Sequence, residues 1–410
     1  MKSAVRSDDV RAQNRTKLLA ALRMKGSMSR TKLAEHTGLS AATVTSITAD
    51  LLDKNILLRQ EETPKAKNSR GRPRVTLAFN PDFACVGIIV LQLNHIMISI
   101  ADYQGHTIFD DELTLETTTI SSKLLLQKMI DFFQAGLRKT KIPRNRLRHV
   151  SVGVQGATDI HGTKLRWSPI IQHQELPIKQ SLEPAFGVSV SVHNDCNMIA
   201  QALRWNEPEI YHSDFAAILL SQGIGMGLYH NGELLQGKRS SATEFGHMTY
   251  IPDGALCRCG RHGCIEAYAS EYAVYRHAKS QDANSPPSSD IQQSEMDKIA
   301  AQARNNDPIA VSSFERAGSA IGAGLASLFA LIDPFPVAFV GTGTRAKDLL
   351  ENSIKKTIGQ MPISLQPDEI SMRFYEDKNP LIRDGCAVTA LMEIDRNTNS
   401  GNRKIRKIAS

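Results

Sequence analysis

The chain of 410 residues is 41% hydrophobic and 22% charged, the balance of a soluble globular protein with a sizeable core and two or three domains. No run of about eighteen apolar residues occurs, and the opening MKSAVRSDDVRAQNRTK lacks the apolar segment and cleavage site of a signal peptide, so no membrane span is expected and the cytoplasm is the expected compartment. Six cysteines are too few for a disulfide scaffold, and Cys85, Cys196 and Cys386 read as buried small hydrophobes.

Residues 1–80 carry 16 Lys+Arg against 7 Asp+Glu, whereas the remainder carries 33 against 35. The basic excess belongs to a first domain, where it is the footprint of a nucleic-acid binder unless it merely solvates a face. In NRTKLLAALRMKG, Leu18, Leu19 and Leu22 fall at helical spacing and the run stops at Gly26, where a helix can end in a left-handed residue. Ser29 caps a second helix carrying Leu33 and Ala34 and closed by Gly38, and Ser40 caps a third, AATVTSITADLLDK. In this third helix Val44, Ile47 and Leu51 face inward, while Ala42, Thr43, Thr45, Ser46 and Thr48 form a small polar outer face. A helix entering the major groove needs such short side chains, with hydroxyls for phosphates and base edges and methyl groups for thymine. The pattern predicts a helix-turn-helix whose reader presents Ser40, Ala42, Thr43, Thr45 and Ser46, with an ordinary helical hairpin as the alternative. NILLRQEETPKAKNSRGRPRVTLAFNP then gives two apolar strands around a basic loop, the pattern of a wing. At its tip Gly71 and Pro73 keep the backbone narrow while Arg70 and Arg72 project, a combination suited to an A·T-rich minor groove; a flexible basic linker is the alternative.

From about residue 83 the texture changes to alternating strands and helices. CVGIIVLQLNHIMISIADYQGHTIFDDELTL predicts successive strands with a turn at Gly105, and SSKLLLQKMIDFFQAGLRK a helix. HVSVGVQGATD and VSVSVHNDCNMIAQALRW each run from an apolar strand into a polar turn, and FAAILLSQGIGMGLYHNGELLQG reads as a strand, a Gly-rich loop and a hairpin. This is a two-lobed α/β arrangement with ligand groups expected where strands end in loops. Residues 281–292 read as a surface loop, and the basic stretch 396–410 as a disordered tail.

Residues 244–266, EFGHMTYIPDGALCRCGRHGCIE, gather three cysteines, two histidines and two glutamates. In a reducing compartment such crowding favours metal over disulfides. Cys257, Cys259 and Cys264 with one histidine, His247 or His262, supply the Cys3His set that Zn²⁺ accepts in a closed tetrahedral site, which leaves no position for a catalytic water; a disulfide or free thiols are the alternative.

SVHNDCNMIA, QGIGMGLYHNGELLQG, the cysteine-rich stretch and GCAVTAL near the C-terminus together resemble the ROK family of sugar kinases and sugar-responsive repressors, over nearly the whole chain. With a winged helix and a GRP tip in front, the chain looks like the repressor branch that contains the NagC, Mlc and xylose-repressor proteins. The resemblance implies a winged helix-turn-helix over residues 1–80 and a two-lobed, actin-like and sugar-kinase-like ROK module over 81–395, with lobe one at 81–194 plus 385–395 and lobe two at 195–384. It implies His247 as the fourth ligand of a structural Zn²⁺, and the convergence of Gly156, Asn194, Asp195, Glu244, His247 and Glu266 on one sugar. Paired carboxylates and an amide suit a ring of hydroxyls, and one imidazole nitrogen on the metal leaves the other for a hydroxyl. Glu266 is expected to be removable without touching the metal.

In the kinases of this family the counterpart of Asp195 is the general base, and ATP phosphates lie in an Asp-x-Gly-Gly-Thr turn after the first strand. IVLQLN has Ile89 in place of the acid and Leu91, Gln92 and Leu93 in place of the glycines and threonine. SQGIGMG has Ser221, Gln222 and Met226 where small or hydroxyl residues are usual, and Gln155 replaces a proline. The expectation is a DNA-binding regulator without enzymatic activity, most simply a repressor of sugar uptake or catabolism genes. It would act as a homodimer or higher oligomer on double-stranded operator DNA, modulated by a sugar or sugar phosphate. An active sugar kinase, and a repressor controlled by a protein of the sugar phosphotransferase system, are the alternatives.

Overall fold

The computed structural model describes residues 7–61, 75–171, 174–238, 240, 243–288, 291–360 and 367–398. Three helices open the chain, α1 (Ser7–Lys25), α2 (Arg30–Thr37) and α3 (Ala41–Asp53). Their boundaries are local chemistry. The Ser29 hydroxyl accepts from the Lys32 amide, Gly38 adopts φ 66° and closes α2 on the Ala34 carbonyl, and Ser40 accepts from the Thr43 amide. Strands β1 (Leu57–Glu61) and β2 (Val75–Phe79) pair antiparallel with Leu57 opposite Phe79. Arg70 and Arg72, assigned to the wing tip, lie outside the described residues.

Two readings of this unit are corrected. Helix α1 starts well before the Leu18 run, because Arg15 is buried against α3 and donates to Asp50 at 2.9 Å. Thr48 faces inward rather than out, since Arg30 Nε donates to its hydroxyl at 2.8 Å and the residue is wholly buried.

The next elements are β3 (Cys85–Gln92), β4 (His95–Asp102), β5 (Thr107–Thr114), α4 (Ser122–Lys139), β6 (Leu147–Val154), the short pair β7 (Ala157–Thr158) and β8 (Leu165–Trp167), α5 (Ile178–Phe186) and β9 (Ser189–Asn194). They form a five-stranded sheet in the order β5-β4-β3-β6-β9, with β3, β6 and β9 parallel. Every residue of β3 is buried, as a strand covered on both faces requires. Helix α6 (Asp195–Asn206) leads into β10 (Phe215–Leu220), β11 (Ile224–His230), β12 (Glu233–Leu234), α7 (Glu266–Ala269), α8 (Glu271–Ala278), α9 (Gln293–Arg304), α10 (Pro308–Phe329), β13 (Val337–Val340), α11 (Lys347–Ile358) and β14 (Met372–Tyr375). The second sheet has the order β12-β11-β10-β13-β14. Helix α12 (Asn379–Asn397) then returns to pack on β3, β6 and α6. No helix among the described residues is long and apolar enough to cross a membrane.

Helix α12 starts earlier than the 385–395 stretch assigned to lobe one and takes in Arg396 and Asn397 from the expected tail. Arg396 is held in the helix by a 2.7 Å ion pair with Glu393 at i, i+3, and the neighbouring Asp395 is fixed in the core. Gly385 lets α12 touch α6, because a Cβ there would lie 1.9 Å from the Met198 carbonyl oxygen. One continuous apolar core runs from Leu18, Leu33 and Val44 of the N-terminal helices through Val86 and Ile88 of β3, along α6 and α12, to Ala217 and Val340 of the second sheet.

That core encloses one ion pair. Arg23 of α1 donates from Nε and Nη2 to the two oxygens of Asp395 at 2.5 and 2.9 Å, and from Nη1 to the Tyr103 carbonyl at 2.9 Å. The Tyr103 hydroxyl donates to Asp395 at 2.5 Å, and the guanidinium lies 4.1 and 4.6 Å from the ring centroids of Phe79 and Tyr103. With side chains only 2% and 6% exposed, the pair ties α1 to α12. Arg23→Ala leaves the Asp395 charge buried and unpaired, so urea denaturation is expected to show a loss of about 3–5 kcal/mol, and Arg23→Leu combined with Asp395→Leu to recover most of it. A loss within the range of an exposed pair, about 0–1 kcal/mol, would show that the contact does not join the two parts.

Candidate functional site

The cysteine-rich loop is folded by its own backbone. Cys257 N donates to Arg261 O at 2.8 Å and Gly260 N to Cys257 O at 2.9 Å, while Thr249 bridges Cys264. This turn brings Cys257, Cys259 and Cys264 to His247, with one donor atom from each of the four within 4.8 Å of all the others. His247 Nδ1 lies 3.7 Å from Cys257 Sγ, and Cys259 Sγ lies 3.8 Å from Cys264 Sγ. A tetrahedral ion with metal–sulfur bonds of about 2.3 Å needs ligand–ligand edges of about 3.8 Å, so the donor set fits such an ion. His262 is exposed and outside the cluster, which resolves the choice of histidine.

The six residues assigned to a sugar, Gly156, Asn194, Asp195, Glu244, His247 and Glu266, line one cavity of about 80 Å³. Asn194 ends β9 and caps α6: its carbonyl oxygen accepts from the Asn197 amide at 3.0 Å and its NH2 donates to the Gly156 carbonyl at 2.9 Å. Gly156 has φ 137°, and a Cβ there would meet the Trp167 carbonyl oxygen at 2.3 Å, so this wall admits only glycine. Asp195, the first residue of α6, is 2% exposed; Oδ1 accepts from the Cys196 amide at 2.9 Å while Oδ2 is buried with no partner. Burial pushes its carboxyl up, and the Lys378 charge and the Cys196 amide pull the other way. Glu244 is half exposed at the mouth, with a carboxylate oxygen 3.9 Å from His247 Nε2. His247 therefore turns Nδ1 to the thiols and Nε2 to the cavity, as double use of the ring requires.

Glu266 differs from its expected role. One oxygen accepts from the Ile224 amide at 3.0 Å, and the other from the Tyr272 hydroxyl at 3.3 Å and the Cys257 thiol at 3.6 Å. It reaches the cavity but is bound to the cysteine-rich loop, so it cannot be removed without disturbing that loop.

Gln155, noted from sequence as the replacement of a proline, also lines the cavity, and so do Trp167, Thr243 and Arg258, which were not singled out from sequence. Trp167 packs edge-on against the His247 ring at 6.2 Å, and Arg258 donates to the Gln222 and Ser288 carbonyls at 3.2 and 3.0 Å while covering the Tyr272 ring. Arg258 sits between Cys257 and Cys259, the one signal that could have flagged it; Trp167 and Lys378 carry none. Of the positions that replace the kinase phosphate turn, Ile89 and Leu91 are buried core, and Gln92 donates to Asn379 at 3.1 Å. On α3, Ser40, Ala42, Thr45 and Ser46 are exposed and Thr43 is half-buried, with the Ser40 and Thr43 hydroxyls 2.8 Å apart at the cap.

Residues 90–382 match the profile of the ROK family. A glucokinase of Streptomyces coelicolor is 32% identical over 221 residues, covering 51% of this chain and 68% of that protein. The xylose repressor of Bacillus spizizenii is 25% identical over 353 residues, covering 85% of this chain and 87% of the repressor. Among solved structures, a ROK family transcriptional regulator described as a homologue of the Escherichia coli Mlc protein superposes with a TM-score of 0.76 at 23% identity, covering 95% of this chain and 98% of that one. The similarity to the repressor and to the regulator thus extends over 85% and 95% of the chain, whereas the similarity to the glucokinase covers only about half of it.

A carboxylate oxygen buried without a partner costs folding free energy, so Asp195→Asn is expected to stabilise the ligand-free protein at pH 7 by about 1–3 kcal/mol. The sign follows from the raised carboxyl: its unfavourable contribution grows as pH rises past the unfolded value and vanishes below it. The gap between variant and wild type in thermal denaturation should therefore close on acidification toward about pH 4. A gap that persists there would mean that Asp195 is not the charged group at fault.

Proposed function

Because this chain belongs to the ROK family, we propose that it is a sugar-responsive DNA-binding transcriptional regulator, a repressor of genes for sugar uptake or catabolism rather than a sugar kinase. The observation that carries this reading is that a helix-turn-helix with a small polar exposed face shares one apolar core with a module whose cavity gathers Asn194, Asp195, Glu244 and His247. Side chains of Gln92 and Leu93 occupy the cleft where phosphates would need close backbone approach, which disfavours phosphoryl transfer. The cavity offers acceptors and donors for sugar hydroxyls: Asp195 Oδ2 is free to accept, and His247 Nε2 and Glu244 face each other at the mouth.

Ser40, Ala42, Thr43, Thr45 and Ser46 would read the major groove, with Arg70 and Arg72 of the wing reaching the minor groove. One such helix specifies few base pairs, so the functional unit is at least a homodimer on a pseudo-palindromic operator. The domains follow: residues 1–80 read DNA and 81–395 sense the sugar. Cys257, Cys259, Cys264 and His247 would hold a zinc ion, whose chemistry there is structural: it fixes the loop and the orientation of His247. Coupling runs through α6, which starts at Asp195, to α12, which it touches at Gly385, and on to α1 through Asp395 and Arg23.

Two measurements test the reading. Purified protein is expected to contain about one zinc per chain by elemental analysis, and Cys259→Ser to lose both the zinc and sugar affinity; active protein without zinc would refute the metal assignment. Operator affinity of the wild type is expected to change about five- to 150-fold with the effector sugar, the range of a coupling energy of about 1–3 kcal/mol, while Asp195→Asn binds the operator normally and no longer responds. An Asp195→Asn protein that responds as the wild type does would remove Asp195 from the sugar site.

A further inference from the structure

Beside the sugar cavity lies a larger cleft of about 310 Å³, against about 80 Å³ for the cavity itself. Gln155, just after β6, lines both, so the two are neighbours that meet at this one residue. Among its described lining residues the cleft has five glutamines: Gln92, Gln155, Gln222, Gln292 and Gln293. Each primary amide offers two donors and an acceptor without charge. One of these groups is short of a partner: Gln222 Oε1 is buried with no donor, and a buried acceptor in a polar recess calls for a hydroxyl or water.

The charge balance argues against an anionic ligand. Arg258, beside Gln222, spends its guanidinium on two backbone carbonyls and the Tyr272 ring. Lys378 acts on the carboxylates of Asp195 and Glu271, so its charge is already opposed twice. Glu271 in turn accepts from the Thr342 hydroxyl. A phosphate entering here would face the Glu271 carboxylate and an ammonium already shared with Asp195, with amide side chains where a backbone cradle is needed. A neutral, hydroxyl-rich group meets matched donors and acceptors.

We infer that the effector is a neutral disaccharide or longer glycoside, with one sugar unit against Asp195 and Asn194 and the next in the glutamine-lined cleft, joined past Gln155. The inference rests on the reading of the Asp195 cavity as a sugar site and goes beyond it in naming the size and charge of the ligand.

The test is calorimetric titration of the full-length protein with matched pairs, glucose and cellobiose, glucose and maltose, xylose and xylobiose, together with glucose 6-phosphate and a non-hydrolysable ATP analogue. At least one disaccharide is expected to bind about tenfold or more tightly than its own monosaccharide, which corresponds to one or two added hydrogen bonds. Gln222→Ala, which keeps the backbone carbonyl that Arg258 uses, is expected to bring that disaccharide down to the monosaccharide level while the monosaccharide affinity stays unchanged; Gln293→Ala, on a different element, is expected to act in the same direction. If no disaccharide in the panel outbinds its monosaccharide, or if the phosphate ester or the nucleotide binds more tightly than every neutral sugar, the inference is overturned and the Asp195 site stands. If no sugar binds at all, the sugar-site reading itself falls.

Discussion

The contact on which the rest depends is the buried pair of Arg23 and Asp395. Burying two charges costs several kcal/mol per ion, and the pair persists because all three guanidinium nitrogens donate and both carboxylate oxygens accept. Asp395 receives two guanidinium donors and the Tyr103 hydroxyl, and the guanidinium is covered by two aromatic rings. Such a contact fixes orientation more than it adds stability, because a bidentate pair tolerates little rotation. The N-terminal helices are thereby held to α12 in one defined pose rather than hanging from a flexible connection.

From α12 the same geometry continues inward. Its small face at Gly385 meets α6, and α6 begins with Asp195, whose carboxylate keeps one buried oxygen without a partner. On the opposite side of the cavity, Glu266 plays the matching part for the metal-ligating loop, holding the Ile224 amide with one oxygen and approaching Cys257 with the other. The cavity is thus built between two fixed supports, a helix pair on one side and a stapled loop on the other. A ligand that pulls Asp195 toward Glu244 and His247 works against both.

The parts that were legible in the sequence are those set by short spacing. Ser29, Gly38 and Ser40 announce helix ends through bonds spanning three or four residues, and the three cysteines lie close enough in sequence that one loop must bring them together. Apolar runs ending in polar turns pointed to β3, β4, β5, β6, β9, β10 and β11, including the wholly buried β3, whereas β13 and β14 of the second sheet were not read. What could not be read is set by distance along the chain. Arg23 and Asp395 are separated by 372 positions, and neither residue type signals burial. Lys378 reaches Asp195 only because α12 returns to the first sheet. Thr48 looked like part of a polar surface because a hydroxyl pattern does not say which member finds a buried partner, and Arg30 supplies one. Glu266 was recognised as a site residue but misread as independent, since its ties to Ile224 and Tyr272 are tertiary.

The close approach at Gly385 has a consequence for heredity. A methyl group at that position would collide with the Met198 carbonyl and force the two helices apart, although Gly385 lines neither the Asp195 cavity nor the cysteine loop and lies far along the chain from the proposed reading face of α3. A lesion there would therefore separate sensing from response while leaving both ends chemically intact. In a population of random mutants, silent or permanently repressed phenotypes would then map to a glycine that belongs to neither binding surface.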